Sequence, residues 1–114
     1  DIEADCHQIR SQDTYDHNFV LNGSGYRKVA NLYSPLTGIE MSCYTDQPGI
    51  QLYVPATDGD LAGKGGVSYK AYQSVCLETQ HFPNATENEH FPSVILKADD
   101  VFKTKTSYIF TNRM

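Results

Sequence analysis

The sequence predicts an all-β fold, an antiparallel β-sandwich of seven or so short strands. Apolar and polar residues alternate in short segments along much of the 114-residue chain, which is the period of a strand with one buried face. Glycine, proline and Asn-Gly pairs separate these segments, and none of them has a convincing helical period. Since strands without intervening helices bury their apolar faces by stacking sheets, a sandwich follows.

Four predicted strands lie in the first half of the chain, over residues 19–22, 26–33, 39–44 and 50–54. The first ends in Asn22-Gly23-Ser24-Gly25, which predicts a hairpin-like connection into the second. Ser34-Pro35-Leu36-Thr37-Gly38 and Gln47-Pro48-Gly49 have the composition of further turns. The turn residues therefore divide this half into strands joined by short connections.

The second half contains a long glycine-rich segment. Residues 55–73 show no regular pattern, which is typical of a functional loop such as a rim or lid. Within them, Gly63-Lys64-Gly65-Gly66 resembles a phosphate cradle, but neither a directly following Ser or Thr nor a helix completes it, so we discount that function. Further strands are predicted over residues 74–80, 93–97 and 106–110, with a loop at 82–92.

The composition indicates one globular domain or part of one over residues 1–114, and it argues against two kinds of partner. The formal net charge is −5 and the nine Lys and Arg residues are scattered, so no surface for nucleic acid is predicted. No apolar run approaches the ~20 residues that cross a bilayer, so no membrane partner is predicted. Because the first residue is not Met, we expect a processed, trimmed or partial chain.

The cysteines and histidines predict neither a disulfide framework nor a metal site. Cys6, Cys43 and Cys76 are odd in number and lack C-x-x-C spacing. We interpret Cys43 and Cys76, which lie in strand-like runs, as small buried residues of a protein in a reducing compartment, the cytoplasm. The four histidines lack spacings such as H-x-x-x-H, and no serine triad is visible.

Glu78 is the first candidate for acid–base chemistry. It lies in an alternating strand and shares a face with Cys76 and Gln80. Since cysteine prefers burial, we expect a partly buried carboxylate, which would serve as a general base. An exposed glutamate on a solvated sheet face gives the same pattern and is the alternative.

Asp16 and Gln51 are candidates for binding hydroxyl groups. Asp16 and His17 precede an apolar strand, and one of these side chains would have to turn into a pocket to be functional. Gln51 shares a strand face with Tyr53, and amide and phenol groups both donate and accept hydrogen bonds. A simple loop and a polar sheet face in water are the alternatives. Together with Glu78, the two residues point to a sugar-binding site.

Six segments of the chain, taken together, resemble the C-terminal portion of the aldose 1-epimerase family, also called galactose mutarotases. They occur in the family's order and spacing and are Tyr15–Leu21, Ser34–Gly38, Tyr44–Tyr53, Gly63–Gly66, Cys76–Gln80 and Phe91–Ser93. No one of these segments is specific, but their joint occurrence is.

The resemblance implies the C-terminal part of a large β-sandwich of the galactose mutarotase type, whose open cleft binds an aldohexose. It implies interconversion of the α and β anomers of sugars such as galactose and glucose, without a cofactor or a metal. Glu78 stands at the position of the family's general base. Asp16 stands at that of a residue that contacts sugar hydroxyls, and Gln51 at that of a pocket residue.

The resemblance also implies that part of the site is missing. Family members are much longer, and their acid histidine lies in an upstream motif that this sequence lacks; His17 does not stand at its position. We expect the chain alone to be slow or inactive, since a general acid contributes roughly 10²–10⁴-fold. Strand edges left without neighbours should favour self-association or pairing with a missing N-terminal portion.

Other functions stay open at this point. One is a non-catalytic carbohydrate-binding or truncated mutarotase-like module, and another is an interaction module whose glycine-rich loop packs against a second chain. An epimerase for phosphorylated hexoses would call for basic residues around the pocket, and these motifs offer few.

Overall fold

The computed structural model of the chain describes residues 7–10, 12–56 and 61–113. In these ranges one helical turn, α1 (His7–Arg10), precedes eight strands, and 3-10 turns lie at Lys64–Gly66 and Ala85–Glu87. The strands are β1 (Asp16–Val20), β2 (Arg27–Tyr33), β3 (Ile39–Thr45), β4 (Gly49–Tyr53), β5 (Leu61–Ala62), β6 (Ser68–Tyr69), β7 (Cys76–Gln80) and β8 (Thr106–Asn112). The prediction of an all-β fold is confirmed.

The described strands form three sheets. The first has the order β1-β4-β7, the second the order β2-β3-β8, and the third consists of β5 and β6. The second sheet is antiparallel, with Tyr33 opposite Glu40 between β2 and β3 and Thr45 opposite Thr106 between β3 and β8. Strands β5 and β6 are antiparallel as well, so the predicted pairing direction is confirmed for these strands.

The turn between β2 and β3 is confirmed. Its ends are joined by two hydrogen bonds of 2.9 Å, from the Gly38 N–H to the Ser34 carbonyl and from the Ser34 N–H to the Ile39 carbonyl. Gly38 has a φ of 73°, a left-handed conformation that glycine adopts without the penalty of a Cβ. The glycine therefore closes the hairpin that sets the β2–β3 register.

The prediction of a hairpin after β1 is wrong, because β1 and β2 lie in different sheets. The Asn-Gly signal marks a change of direction but does not choose a pairing partner. The Arg27 guanidinium holds this connection, donating at 2.8 Å to the carbonyls of both Asn22 and Gly25. It also donates to the carbonyls of Thr45 and Gln47, at 3.2 and 3.3 Å, and so ties the two ends of the connection to the end of β3.

The strand predicted over residues 93–97 is also wrong, since this segment forms no helix or strand. Local polar groups hold its backbone: the Ile95 N–H donates to the Ser93 hydroxyl at 3.2 Å, and the Lys97 N–H donates to the Asp100 carboxylate at 3.3 Å. Its apolar residues have the composition of a strand, but its backbone N–H groups bond to nearby side chains instead of to a neighbouring strand.

Residues 55–73 contain more structure than predicted, although residues 57–60 lie outside the described residues. Strands β5 and β6 flank the turn at Lys64–Gly66, in which Gly65 and Gly66 have φ values of 68° and 77°. A side chain at Gly63 would collide with the ring of Tyr69. These glycines allow a tight turn and close packing, which accounts for them without a phosphate cradle.

The chain divides into two compact units. The first holds the described residues up to Phe19 and from Gln51 to Glu78, and the second those from Val20 to Ile50 and from Thr79 onwards. Among the described hydrophobic residues, the first unit buries Ile9 and Val54 and the second buries Cys43 and Ile50. None of the described helices is long and apolar enough to cross a membrane.

The expected burial is confirmed for Cys43, which is fully buried and unpaired. Burial raises the pKa of its thiol and so favours the neutral form. Cys76 is also unpaired but only half-buried. Cys6 lies outside the described residues.

Candidate functional site

The first unit brings two of the predicted site residues together. Asp16 begins β1 and Gln51 lies in the middle of β4, the neighbouring strand in the sheet. The Gln51 Nε2 atom donates to the Asp16 Oδ1 atom at 2.6 Å, a short hydrogen bond assisted by the charge of the carboxylate. Because an ionised carboxylate only accepts, this bond fixes which end of the Gln51 amide faces Asp16.

Backbone bonds next to this pair hold the two strands in place. The Val54 N–H donates to the Tyr15 carbonyl at 2.9 Å, one residue before Asp16. The buried hydroxyl of Thr14 donates to the Val54 carbonyl, also at 2.9 Å. Both backbone groups of Val54 are thereby hydrogen-bonded to the segment that leads into β1. These bonds fix the position of the backbone next to Asp16.

His17 does not join this pair. Its ring nitrogen Nδ1 accepts a hydrogen bond of 3.0 Å from the Asp16 backbone N–H, and its ring lies edge-on to Tyr15 with centroids 6.2 Å apart. The imidazole is occupied by local contacts while the Asp16 side chain turns to Gln51.

A pocket of about 240 Å³ opens beside Asp16. Its described lining residues are Gln12, Asp13, Thr14, Asp16, Tyr53 and Ala56, of which two are acidic and none is basic. Tyr53 was expected on the face of Gln51 and is found here with Asp16. The sequence pattern did not predict that the residues from Gln12 to Thr14 line a pocket. Their position shortly before the Asp16-His17 motif was the one feature that could have indicated it.

Glu78 lies on β7, the third strand of the same sheet, next to the strand that carries Gln51. The three candidate residues therefore occupy three successive strands, with Gln51 on the central one. The expectation of a partly buried carboxylate is wrong, because Glu78 is exposed although Cys76 on the same strand is half-buried. The expectation rested on the preference of Cys76 for burial, and the partial burial of that residue does not extend to Glu78 two positions along the strand.

No group of three potential metal ligands occurs among the residues that the structure describes. The site as described consists of a carboxylate–amide pair, a small acidic pocket and a carboxylate on the third strand. Such groups accept hydrogen bonds from hydroxyls and can take up a proton.

Comparison with known proteins shows the family of this chain. The family model for aldose 1-epimerase matches residues 2–109. The chain belongs to the aldose 1-epimerase family. It is 39% identical over 99 residues to the galactose mutarotase of Sus scrofa and 36% identical over 99 residues to that of Homo sapiens. It is 26% identical over 100 residues to the aldose 1-epimerase of Escherichia coli strain K12.

The fold is similar to that of a solved member of this family, a GalM/aldose epimerase homologue from C. elegans, with a TM-score of 0.78 and 31% identity. This similarity confirms the predicted mutarotase-type fold. The match covers 86% of this chain and 30% of that structure, and 85% of this chain and 29% of the Sus scrofa protein. The chain thus spans less than a third of the length of these relatives, as expected for the C-terminal part of the sandwich.

Proposed function

We propose that this chain supplies the general base and part of the sugar-binding cleft of an aldose 1-epimerase that acts on free aldohexoses such as galactose and glucose. The observation that carries the proposal is the 2.6 Å contact between Asp16 and Gln51, on the first two strands of a sheet whose third strand bears Glu78. The names of the relatives, galactose mutarotase and aldose 1-epimerase, support the same activity.

In the proposed reaction the Glu78 carboxylate takes the proton of the anomeric hydroxyl. The electrons of that O–H bond form the carbonyl as the bond between the anomeric carbon and the ring oxygen breaks, and an acid gives the ring oxygen a proton. Rotation of the carbonyl end and closure in the reverse sense yield the other anomer, with the base and the acid restored. No oxidant, cofactor or metal is needed to balance these steps.

The Asp16–Gln51 pair would hold the sugar while the ring is open. A carboxylate accepts hydrogen bonds from two hydroxyls of one face of a hexose, and an amide held by that carboxylate has a defined orientation. The acidic lining of the adjacent pocket favours a neutral sugar over a phosphorylated or acidic one, because Asp13 and Asp16 repel anions. Free hexoses are therefore the proposed substrates.

The acid would come from outside this chain, from the family's upstream motif. The direct test is a chimera in which this chain replaces the matching segment of the Sus scrofa relative, assayed by polarimetry of freshly dissolved α-D-galactose. Glu78→Gln should slow mutarotation on the order of 10²–10⁴-fold, whereas Glu89→Gln, at an exposed position outside the strands, should leave the rate unchanged. A chimera that stays active with Gln at position 78 would remove the base role from Glu78.

The exposure of Glu78 favours a second candidate, a carbohydrate-binding module without catalysis. In that case Glu78→Gln should leave galactose affinity nearly intact, and the chimera should not accelerate mutarotation. Measuring affinity and rate on the same samples distinguishes the two functions.

A further inference from the structure

The exposed connection between β1 and β2 contains two groups that can react with each other, and the proposed sugar chemistry does not use it. Asn22 is the one asparagine of the sequence that glycine follows. Residues 22–25 are exposed and lie outside any strand. Among the described residues, neither the Asn22 side-chain amide nor the Gly23 backbone N–H has a hydrogen-bond partner. No other contact therefore competes with a reaction between them.

The reaction open to these groups is closure of a five-membered ring. The Gly23 nitrogen can bond to the side-chain carbonyl carbon of Asn22, because the atoms that join them through the Asn22 backbone are the other members of that ring. Gly23 has a φ of 77° and no Cβ that would crowd the attack. An amide nitrogen is a poor nucleophile until it loses its proton. Resonance then spreads the charge of the anion onto the Asn22 backbone carbonyl oxygen.

The Arg27 guanidinium lies at the oxygen where that charge develops. Its Nε donates to the Asn22 carbonyl at 2.8 Å. Its Nη1 donates to the Gly25 carbonyl, also at 2.8 Å, and so holds the guanidinium in place. A Cβ built on Gly23 would lie 3.6 Å from the Arg27 Nε, so the side chain rests against the reacting residue. A fixed cationic donor at this oxygen stabilises the anion, as an oxyanion hole does.

The second arm of the guanidinium suits the product. The Arg27 Nη2 atom is buried and has no hydrogen-bond partner among the described residues. In a guanidinium, Nε and Nη2 direct N–H bonds to the same side, and this edge binds both oxygens of a carboxylate. One position of the edge already holds the Asn22 carbonyl oxygen, and the other is unused. A carboxylate formed at the Asn22 backbone carbon would therefore find two donors.

We propose that Asn22 is a modification site that converts to isoaspartate, with Arg27 as the residue that promotes the conversion. The Gly23 nitrogen gives its proton to solvent and bonds to the side-chain carbonyl carbon of Asn22, whose bond to the amide nitrogen breaks. Ammonia leaves with a proton from solvent. Water then adds to the backbone carbonyl carbon of residue 22, whose bond to the Gly23 nitrogen breaks, and that nitrogen takes up a proton. The chain now runs through the former side chain, and the backbone carbon has become a carboxylate.

Arg27 also selects between the two products. Water can open the ring at either carbonyl, and attack at the former side-chain carbonyl would give ordinary aspartate. The hydrogen bond from the Arg27 Nε polarises the backbone carbonyl, so water is directed to the carbon that yields isoaspartate. The inference does not depend on the epimerase function or on the role of Glu78.

The test is to age the chimera at neutral pH and to follow each asparagine of this chain by peptide mass spectrometry, with fragmentation that distinguishes isoaspartate from aspartate. We expect Asn22 to convert first, mainly to isoaspartate. Arg27→Gln should slow the conversion on the order of tenfold, which corresponds to one charge-assisted hydrogen bond in the transition state, and should lower the isoaspartate share. The matched control, Arg113→Gln, removes an arginine whose side chain is 61% exposed and should change neither value.

A second measurement needs no variant. The native chimera should give a larger isoaspartate share at position 22 than the same protein unfolded in urea, where Arg27 no longer holds the carbonyl. Circular dichroism verifies that Arg27→Gln is folded. Conversion of another asparagine of this chain before Asn22, a folded Arg27→Gln with unchanged rate and products, or equal shares in the native and unfolded protein would each overturn the proposal. Polarimetry tests the sugar chemistry separately.

Discussion

Replacing the Asp16 carboxylate with an amide should weaken galactose binding by about fivefold. Asn has nearly the shape of Asp, so Asp16→Asn keeps an acceptor for the Gln51 amide but removes the charge that would strengthen the proposed hydrogen bonds from the sugar hydroxyls. Hydrogen bonds to charged groups contribute roughly 1.5–3 kcal/mol and neutral ones roughly 0.5–1.5 kcal/mol. Since Asp16 is exposed, screening by water keeps the difference near the low end, about 1 kcal/mol. That is about a fivefold change in Kd.

The assay is calorimetric titration of the chimera with galactose, with Asp13→Asn as the matched control. Asp13 lines the same pocket and has the same charge, so its substitution should change Kd by no more than about twofold if the contact to Gln51 matters. A double-mutant cycle with Gln51→Met, which keeps the length of the side chain but removes the amide, should show non-additive effects. An equal loss from Asp13→Asn, or strictly additive effects in the cycle, would refute the reasoning.

Two further predictions concern the second unit and the cysteines. The hydroxyl of Thr104 and the backbone N–H of Lys105 hold the pKa of Asp46 below its ordinary value, so the folded state binds the Asp46 proton less readily than the unfolded chain does. This stabilisation is fully present above the ordinary carboxyl range and is lost as the pH falls below about 4. The urea midpoint of the chimera should therefore fall as the pH is lowered, and it should fall less steeply in Asp46→Asn. Identical slopes in the two proteins would contradict the assignment. Iodoacetamide at pH 8 should alkylate the half-buried Cys76 well before the buried Cys43, whose thiol has a raised pKa, and peptide mass spectrometry would reveal the reverse order if that is wrong.

The sequence predicted those features that depend on local pattern. Alternation located β2, β3, β4, β7 and β8 to within a few residues, because each has apolar residues on one face. The turn at Ser34–Gly38 could be predicted because Gly38 adopts a left-handed backbone conformation that favours glycine. The prediction of a hairpin after β1 was wrong, since an Asn-Gly pair occurs both in hairpins and in connections between sheets.

The candidate site could be predicted in its residue types but not in its geometry. Gln51 was expected on a polar strand face and Asp16 beside an apolar strand, yet nothing local indicated that these two residues, 35 positions apart, form a contact of 2.6 Å. Tyr53 and Asp13 came to the same pocket through the strand pairing, which a pattern of period two does not encode. The burial of Glu78 was misjudged for the same reason, because the cover of a strand depends on distant segments.

The order of strands in the second sheet has a consequence for how the chain is made. Strand β3 pairs on one side with β2, which a five-residue turn joins to it, and on the other side with β8, whose Thr106 meets Thr45 from 61 positions along the sequence. The β2–β3 hairpin can therefore form while the ribosome is still extending the chain, but its open edge must wait until β8 has been synthesised. Pairing over such long separations is slow, and an edge that waits is exposed to the wrong strand. Nascent chains that stop before β8 should accordingly depend on chaperones more than chains that include β8.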